Sequence, residues 1–415
     1  MRSHATYDVI VIGGGASGMM AAGRAAEAGK HVLLLEKNAK LGAKLAITGG
    51  GRCNVTNAED DERFLLAKYG VADKFLHSAF AQFGMQDTFS FFESRGLKLK
   101  VEAYKRAFPA SERATDVVAV LERYLAKGRV DVRIGVAVKK IVAANGRIEK
   151  VETNAGDFSA TSYVLATGGV SHPETGSTGD GFSWLASLGH TITAPTPTIV
   201  PLKVRESWAK KLSGISLPNM KITFYVDSTK QFSKTGPLLF THFGISGPTV
   251  LNSAGKVAEV LREGIVTATI DLFPGMDQGA LDHKMTEVFD ANKNKLLRNV
   301  LKDILPAGTA ETLLTLVSSV DPETKVHSVT KENRKKLVEL CKRVPLTITG
   351  LMGFDRAVVA DGGLPLTEVD TRTMQSRLIE NLFVTGDLLH ITRPSGGYSL
   401  QLCWTTGHVA GSHAT

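Results

Sequence analysis

Cysteine is scarce. The 415-residue chain has three, Cys53, Cys341 and Cys403, and no two of them form a C-x-x-C or other close pair. That spacing excludes a disulfide framework, a zinc site and a dithiol redox centre of the disulfide-reductase kind. Long hydrophobic runs are missing as well. No apolar stretch reaches the ~20 residues a membrane helix needs. Residues 1–7 lack the apolar stretch of a signal peptide, so the cytoplasm is the default location and no membrane partner is expected. There is no internal repeat and no low-complexity tract, and the His and acidic residues show no ligand spacing, so no metal is expected.

What is present is ordinary for a folded protein: 43% hydrophobic and 22% charged residues. The length is too great for one ordinary core and suggests two domains. The formal charge is +8, with Lys and Arg dispersed rather than blocked. Such a surface is most simply solvated while hosting an anionic ligand, and it could also attract nucleic acid or anionic substrates.

The beginning of the chain reads as a βαβ unit. Residues 8–12 are a short apolar run ending in glycines, a buried parallel strand. Residues 16–28, rich in Ala and Met, read as a helix that Gly29 ends, and residues 31–35 read as a second strand. From 130 to 165, short β runs separated by Asn145-Gly146 and Asn154-Ala155-Gly156 predict an antiparallel meander and a return strand at 162–166. Composition shifts near Thr193, and Ala194-Pro195-Thr196-Pro197-Thr198 marks a boundary. Strand-like segments at 221–226 and 265–272 are followed by a helical, Lys-rich region to about 343. Residues 1–193 and 352–415 are therefore expected to form one α/β, Rossmann-like domain, interrupted by an inserted domain at 194–351 whose helical part spans about 276–343. The first domain would close with a strand at 381–385 and a final helix.

Four stretches carry a dinucleotide signal. The first, Gly13-Gly14-Gly15-Ala16-Ser17-Gly18, fits G-x-G-x-x-G through Gly13, Gly15 and Gly18: a tight turn, a close approach to a pyrophosphate, and close helix–strand packing. It follows a strand and opens a helix whose N-terminus favours phosphate. Glu36 ends the second strand, where a carboxylate accepts from adenosine ribose hydroxyls. The second stretch, residues 44–57, places Gly49, Gly50 and Gly51 before Arg52, Cys53 and Asn54, too many glycines for a helix or strand interior. It suits a loop against a flat ring or a phosphate, with Arg52 facing cofactor phosphates or a flavin edge. The third is Ala166-Thr167-Gly168-Gly169 at a strand end. The fourth is Gly386-Asp387, with the acid placed for ribityl hydroxyls. Downstream of it, Gly396-Gly397-Tyr398-Ser399-Leu400 opens a helix whose N-terminus would stabilise negative charge on a reduced flavin. Lys37, Lys44 and Ala137 complete the expected cofactor set. No second G-x-G-x-x-G occurs, so a nicotinamide donor has no Rossmann domain of its own.

These stretches, in this order, resemble the YhiN/BaiN-like flavoprotein family, also labelled aminoacetone-oxidase-like FAD-binding proteins. The hallmarks KLxxTGGGRCNxTN, LATGGxSxPxTGSTGDG, LLFTHFGxSGP and GGYxxQ stand here at 44–57, 165–181, 238–248 and 396–401. The resemblance implies a glutathione-reductase-type FAD domain, an inserted β-barrel with a helical subdomain, and non-covalent FAD. It also implies reduction of carbon–carbon double bonds, in steroid-like acids or in ribosomal RNA uridine, or alternatively amine oxidation. Two positions depart from the family pattern: Asp387 where Glu is usual, and Ser399 where Asn is usual. The segment 388–395, with His390 and Arg393, also differs.

A double-bond reductase needs a proton donor besides FAD. Cys53 is one candidate acid and is otherwise a small buried packing residue. His172, after Gly-Gly-Val-Ser, and His242, beside Gly-Ile-Ser-Gly-Pro, are candidate acids or ligands and otherwise structural. The first functional expectation is an FAD-dependent reductase of an activated C=C bond, driven by NADH or NADPH, acting on a small molecule or on ribosomal RNA. The alternatives are a peroxide-producing amine or aminoketone oxidase, and an FAD-bearing RNA-binding or assembly factor without turnover. The Lys-rich helices between 284 and 342 read as solvated faces, or as phosphate contacts if RNA is the substrate. The oligomeric state has no sequence signature.

Overall fold

A computed structural model describes residues 7–414. The expectation that no leader opens the chain falls mostly on residues 1–6, outside the described part. Strand β1 (Tyr7–Ile12), helix α1 (Ala16–Glu27) and strand β2 (Val32–Glu36) form the opening βαβ unit, and the strands run parallel in the register Val9↔Val32 to Ile12↔Leu35. Every β2 residue is buried. Both faces of β1 and β2 are covered, which is why these two strands are apolar runs without alternation. Gly29, at φ +84, ends α1 in the left-handed conformation that glycine adopts without strain.

The parallel sheet has five strands in the order Leu382–Val384, Ala160–Leu165, β1, β2, Asp131–Ile134. The chain leaves β1 towards β2 and later returns on the other side of β1. The carboxyl end of β1 is therefore a topological switch point, where open α/β sheets form their ligand crevice. The meander Val138–Ala144, Arg147–Thr153, Gly156–Phe158 is antiparallel, and its first turn places Asn145 and Gly146 at φ 52° and 74°, as a two-residue hairpin loop requires.

The last helix, Tyr398–His413, lies against α1 at contact distance. A Cβ on Gly407 would stand 2.4 Å from the Ser17 carbonyl oxygen, and one on Gly411 2.3 Å from that of Ala21. Two glycines four residues apart thus let the two helix backbones approach closely.

Two compact units separate. One takes the described residues up to Thr196 and those from Val358 onward, and the other is Pro197–Ala357. The second unit holds a closed barrel of six strands, in the order Leu202–Val204, Gly244–Ser246, Thr229–Thr241, Ser216–Val226, Val266–Asp271, Val344–Leu351. Along Val266–Asp271 buried and partly exposed residues alternate, the period-2 pattern of a strand with one inward face. Helices Gln278–Ala291, Leu297–Ile304, Ala310–Leu314 and Lys331–Lys342 come between the last two barrel strands in sequence and bury Leu281, Met285, Leu301, Leu337 and Val338. Their cations are not all solvated: Lys342 Nζ pairs with Asp271 at 2.7 Å and Arg334 with Asp282 at 2.8 Å, both partly buried. Among the described residues no helix is long and apolar enough to cross a membrane, and no group of three or more His, Cys, Asp or Glu side chains could hold a metal.

Candidate cofactor cleft

The carboxyl end of β1 opens into a cleft with an empty volume of about 1240 Å³, mouth included. Fourteen of the residues expected at a cofactor line it: Gly13, Gly15, Ala16, Ser17, Glu36, Lys37, Lys44, Ala137, Ala166, Thr167, Gly168, Asp387, Ser399 and Leu400.

Its geometry follows from the glycine turn. Gly13 has φ +108, and a Cβ there would lie 2.5 Å from the Ala166 carbonyl oxygen. Gly18 does not line the cleft. A Cβ on it would come within 1.8 Å of the Gly13 carbonyl oxygen, so its role is to let α1 press on the turn. Gly15 differs from both, because a Cβ there would meet nothing within 4 Å. It borders the open cleft at the N-terminus of α1, which has no side-chain cap. Uncapped helical N–H groups beside open space are what a pyrophosphate needs. Thr167, whose Cα lies beside the Gly13 turn, lines the cleft as well, but its Oγ1 is buried without a partner against Gly181.

Glu36 is fixed by backbone amides. Its Oε2 accepts from Gly14 N and its Oε1 from Asn38 N, each at 2.7 Å. Both oxygens keep acceptor capacity for ligand hydroxyls. Nearby, Lys37 Nζ donates to Asp180 and to Thr178 Oγ1, both at 2.6 Å. Burial alone pushes the Asp180 carboxyl up, but the bonds from Lys37 and Thr178 outweigh it and hold the group below the usual range.

Asp387 is fixed by cations. Lys44 Nζ reaches its Oδ2 at 3.2 Å and also donates to Ser171 Oγ at 2.8 Å, and Arg393 pairs with Oδ1. Burial pushes this carboxyl up; Arg393 and Lys44 outweigh it and hold the group below the usual range.

The remaining expected residues support the cleft without lining it. Gly49, Gly50 and Gly51 sit at φ 58°, 68° and 86°, and the kinked loop Leu45–Gly51 brings Lys44, Leu45 and Thr48 to the wall. Arg52 does not face the cleft. It pairs with Glu102 at 2.5 Å and Glu112 at 3.3 Å and lies over the Phe108 ring, so its charge is taken up locally. Cys53 is wholly buried, and burial pushes its thiol up to about 12. It packs beneath the loop and is not placed as an acid. Asn54 follows it, also away from the wall, with Oδ1 buried and unpartnered. Gly169 and Gly386 each take the chain close to a neighbour: a Cβ on Gly169 would lie 3.3 Å from the Asp387 carbonyl oxygen, and one on Gly386 3.0 Å from Ser17 Oγ. Gly396 and Gly397 bring the last helix against the second stretch. A Cβ on Gly397 would stand 2.3 Å from the Thr56 carbonyl carbon, and the Gly396 carbonyl accepts from Asn57 Nδ2 at 3.1 Å. The Tyr398 carbonyl accepts from the buried Tyr69 hydroxyl at 2.9 Å, and its ring packs edge-on to that of Tyr69.

Among the described residues no histidine lines the cleft. His172 starts a short turn at φ 54° and holds Glu174 at 2.8 Å. His242 belongs to the barrel unit, on the turn between two barrel strands, its ring edge-on to Phe243. The sequence reading passed over several lining residues, among them Asn38, Ser177, Asp180 and Cys403. Ser177 and Asp180 stood within the third hallmark. Cys403 is four residues after Ser399, the spacing that places two residues on one helix face. Burial pushes its thiol up to about 12.

Residues 7–413 match the family described as HI0933-like protein Rossmann domain. A 3-dehydro-bile acid delta(4,6)-reductase of Clostridium scindens is 32% identical over 408 residues, covering 97% of this chain and 98% of that protein. A ribosomal RNA dihydrouridine synthase of Escherichia coli K12 is 28% identical over 403 residues, covering 96% of each. Among solved structures, a 3-ketosteroid-Δ4-(5α)-dehydrogenase from Rhodococcus jostii RHA1 superposes with a TM-score of 0.56 at 15% identity, covering 100% of this chain and 98% of that one, a likeness of fold. With its match running almost from end to end, the chain belongs to the HI0933-like Rossmann family and is an FAD-dependent oxidoreductase.

Proposed function

We propose that the protein reduces an activated carbon–carbon double bond, one conjugated to a carbonyl, with electrons from NADH or NADPH delivered through FAD, in the cytoplasm. The observation that carries the reading is the cleft itself: one glycine turn, one ribose-type carboxylate and one cation-held carboxylate along a single crevice. FAD supplies the hydride chemistry when bound. Gly13, Gly15 and the N-terminus of α1 would hold its pyrophosphate, Glu36 its adenosine ribose, and Asp387 its ribityl hydroxyls. Ser399 Oγ accepts from Arg393 Nε at 3.0 Å, so its own proton is free to be donated towards the cleft.

The reaction balances as one hydride to the β carbon and one proton to the α carbon, with NAD(P)H oxidised. The 32% relative is named for reducing a bile acid, which favours a small enone-type acid as substrate. The relatives named for dihydrouridine in ribosomal RNA favour a uridine ring, also a conjugated C=C, as the second candidate. The test is an anaerobic titration of the flavin absorbance with NADPH and then NADH. Rapid bleaching by either one is expected and identifies the donor. Bleaching by neither would remove the nicotinamide-driven reading.

A further inference from the structure

Arg393 is a buried cation one contact behind the cleft. Its side chain is 1% exposed. Its guanidinium is engaged on three sides: Asp387 Oδ1 from Nη2, Ser399 Oγ from Nε at 3.0 Å, and the Ile391 carbonyl from Nη1 at 2.7 Å. Two of those partners, Asp387 and Ser399, line the cleft. Lys44 approaches the same carboxylate through its other oxygen. The cluster therefore holds two cations and one anion, a net positive charge with Arg393 buried and Lys44 and Asp387 partly exposed to the cleft. Buried charge of one sign is costly unless something compensates it. The cluster's own hydrogen bonds orient Arg393 but do not neutralise the excess. A group that gains negative charge within the cleft would.

We propose that Arg393 is a positioning residue that sets the reduction potential of the bound cofactor, holding Asp387 and Ser399 in place and, with Lys44, leaving an excess positive charge beside them. The inference rests on the reading of the cleft as the FAD site. Charge near the reactive ring is one of the few means by which a protein tunes a flavin. Arginine suits the task because its planar fork makes three bonds in fixed directions, which a lysine ammonium does not.

The test is the midpoint potential of the bound flavin in the wild type, R393M, R393K and D387N, with FAD content and affinity measured in parallel. R393M should make reduction roughly tenfold less favourable, a fall of about 30 mV for a two-electron couple. D387N removes the anion and keeps both cations, so its potential should rise. R393K keeps the charge but not the three-bond fork, so its potential should fall by less than that of R393M. A purely structural role would move R393M and D387N the same way. R393M unmoved, or both variants moving together, overturns the inference. Should R393M fail to retain FAD, the other two variants decide: a D387N potential that does not rise, or an R393K potential that falls by about 30 mV or more, overturns it. A wild type that binds no FAD overturns the cofactor reading and the inference with it, whereas bound FAD with unmoved potentials overturns the inference alone.

Discussion

Glu36 and Asp387 both face one cleft from the carboxyl ends of strands in one sheet, yet opposite means hold them. Glu36 is gripped by two neutral backbone amides, and Asp387 by two side-chain cations. A carboxylate held by amides keeps its full charge and offers a strong acceptor to hydroxyls. One set between Lys44 and Arg393 belongs to a cluster that is positive as a whole. On the proposed reading, the Glu36 region would serve recognition of the adenosine end and the Asp387 region would lie at the flavin end.

The comparison can be broken first at the element both regions share. Gly13→Ala forces a left-handed φ on alanine and drives its Cβ to 2.5 Å from a backbone oxygen. It should abolish flavin retention, a loss of roughly 1,000-fold or more if backbone strain and clash together cost several kcal/mol. Flavin content after gel filtration reads this directly, and normal content would show that the turn does not carry the cofactor. Next, E36A leaves the Gly14 and Asn38 amides without their acceptor, at about 1–3 kcal/mol each. FAD affinity should drop about 100-fold by fluorescence titration while the midpoint potential stays put. A potential shift in E36A as large as that in D387N would erase the distinction between the regions.

Acid sharpens the contrast. The folded Asp387 carboxyl lies below its unfolded value of ~3.9, so the pair's stabilisation is complete above that value and is lost only as pH falls through the lower folded one. His408 behaves differently. Burial and the nearby Arg24 lower it to about 4, and it stacks on Phe83. The unfolded chain takes up that proton near ~6.5, so stability should decline between about pH 6.5 and 4, and H408F should flatten the decline. Thermal midpoints measured across that range would show it, and an identical slope in H408F would refute it. The smallest effect is expected from Cys53→Ala, which should leave turnover within about twofold, since a wholly buried thiol outside the cleft is not positioned to protonate substrate.

The Glu36 region was the more legible one in sequence. Its parts lie within 25 residues of each other, on a strand–turn–helix–strand whose glycines have local reasons: a turn, a helix–strand contact, an open approach. The hairpin at Asn145-Gly146 and the helix end at Gly29 were readable for the same cause. In the Asp387 region Lys44, Asp387 and Ser399 were readable singly, but their meeting with Ser171 and Arg393 was not. The region joins Lys44, Ser171, Asp387, Arg393 and Ser399, drawn together by the parallel sheet and by the crossing of α1 with the last helix, and no local spacing encodes that. Arg52 and Cys53 lie outside the cleft lining, because a glycine loop announces a close approach without saying which side chains turn inward. The loop's three left-handed glycines bring Lys44 and Thr48 to the wall, while Arg52 pairs with Glu102 and Glu112.

The most direct test of the central claim begins with enzyme whose flavin has been chemically reduced, mixed without oxygen with a steroid-like acid carrying an α,β-unsaturated ketone and, separately, with uridine-containing ribosomal RNA. One of the two should restore the oxidised flavin spectrum and be recovered with its double bond saturated. A flavin that stays reduced with both, yet is reoxidised by oxygen with release of hydrogen peroxide and reduced again by an amine, would contradict the central claim and establish an oxidase.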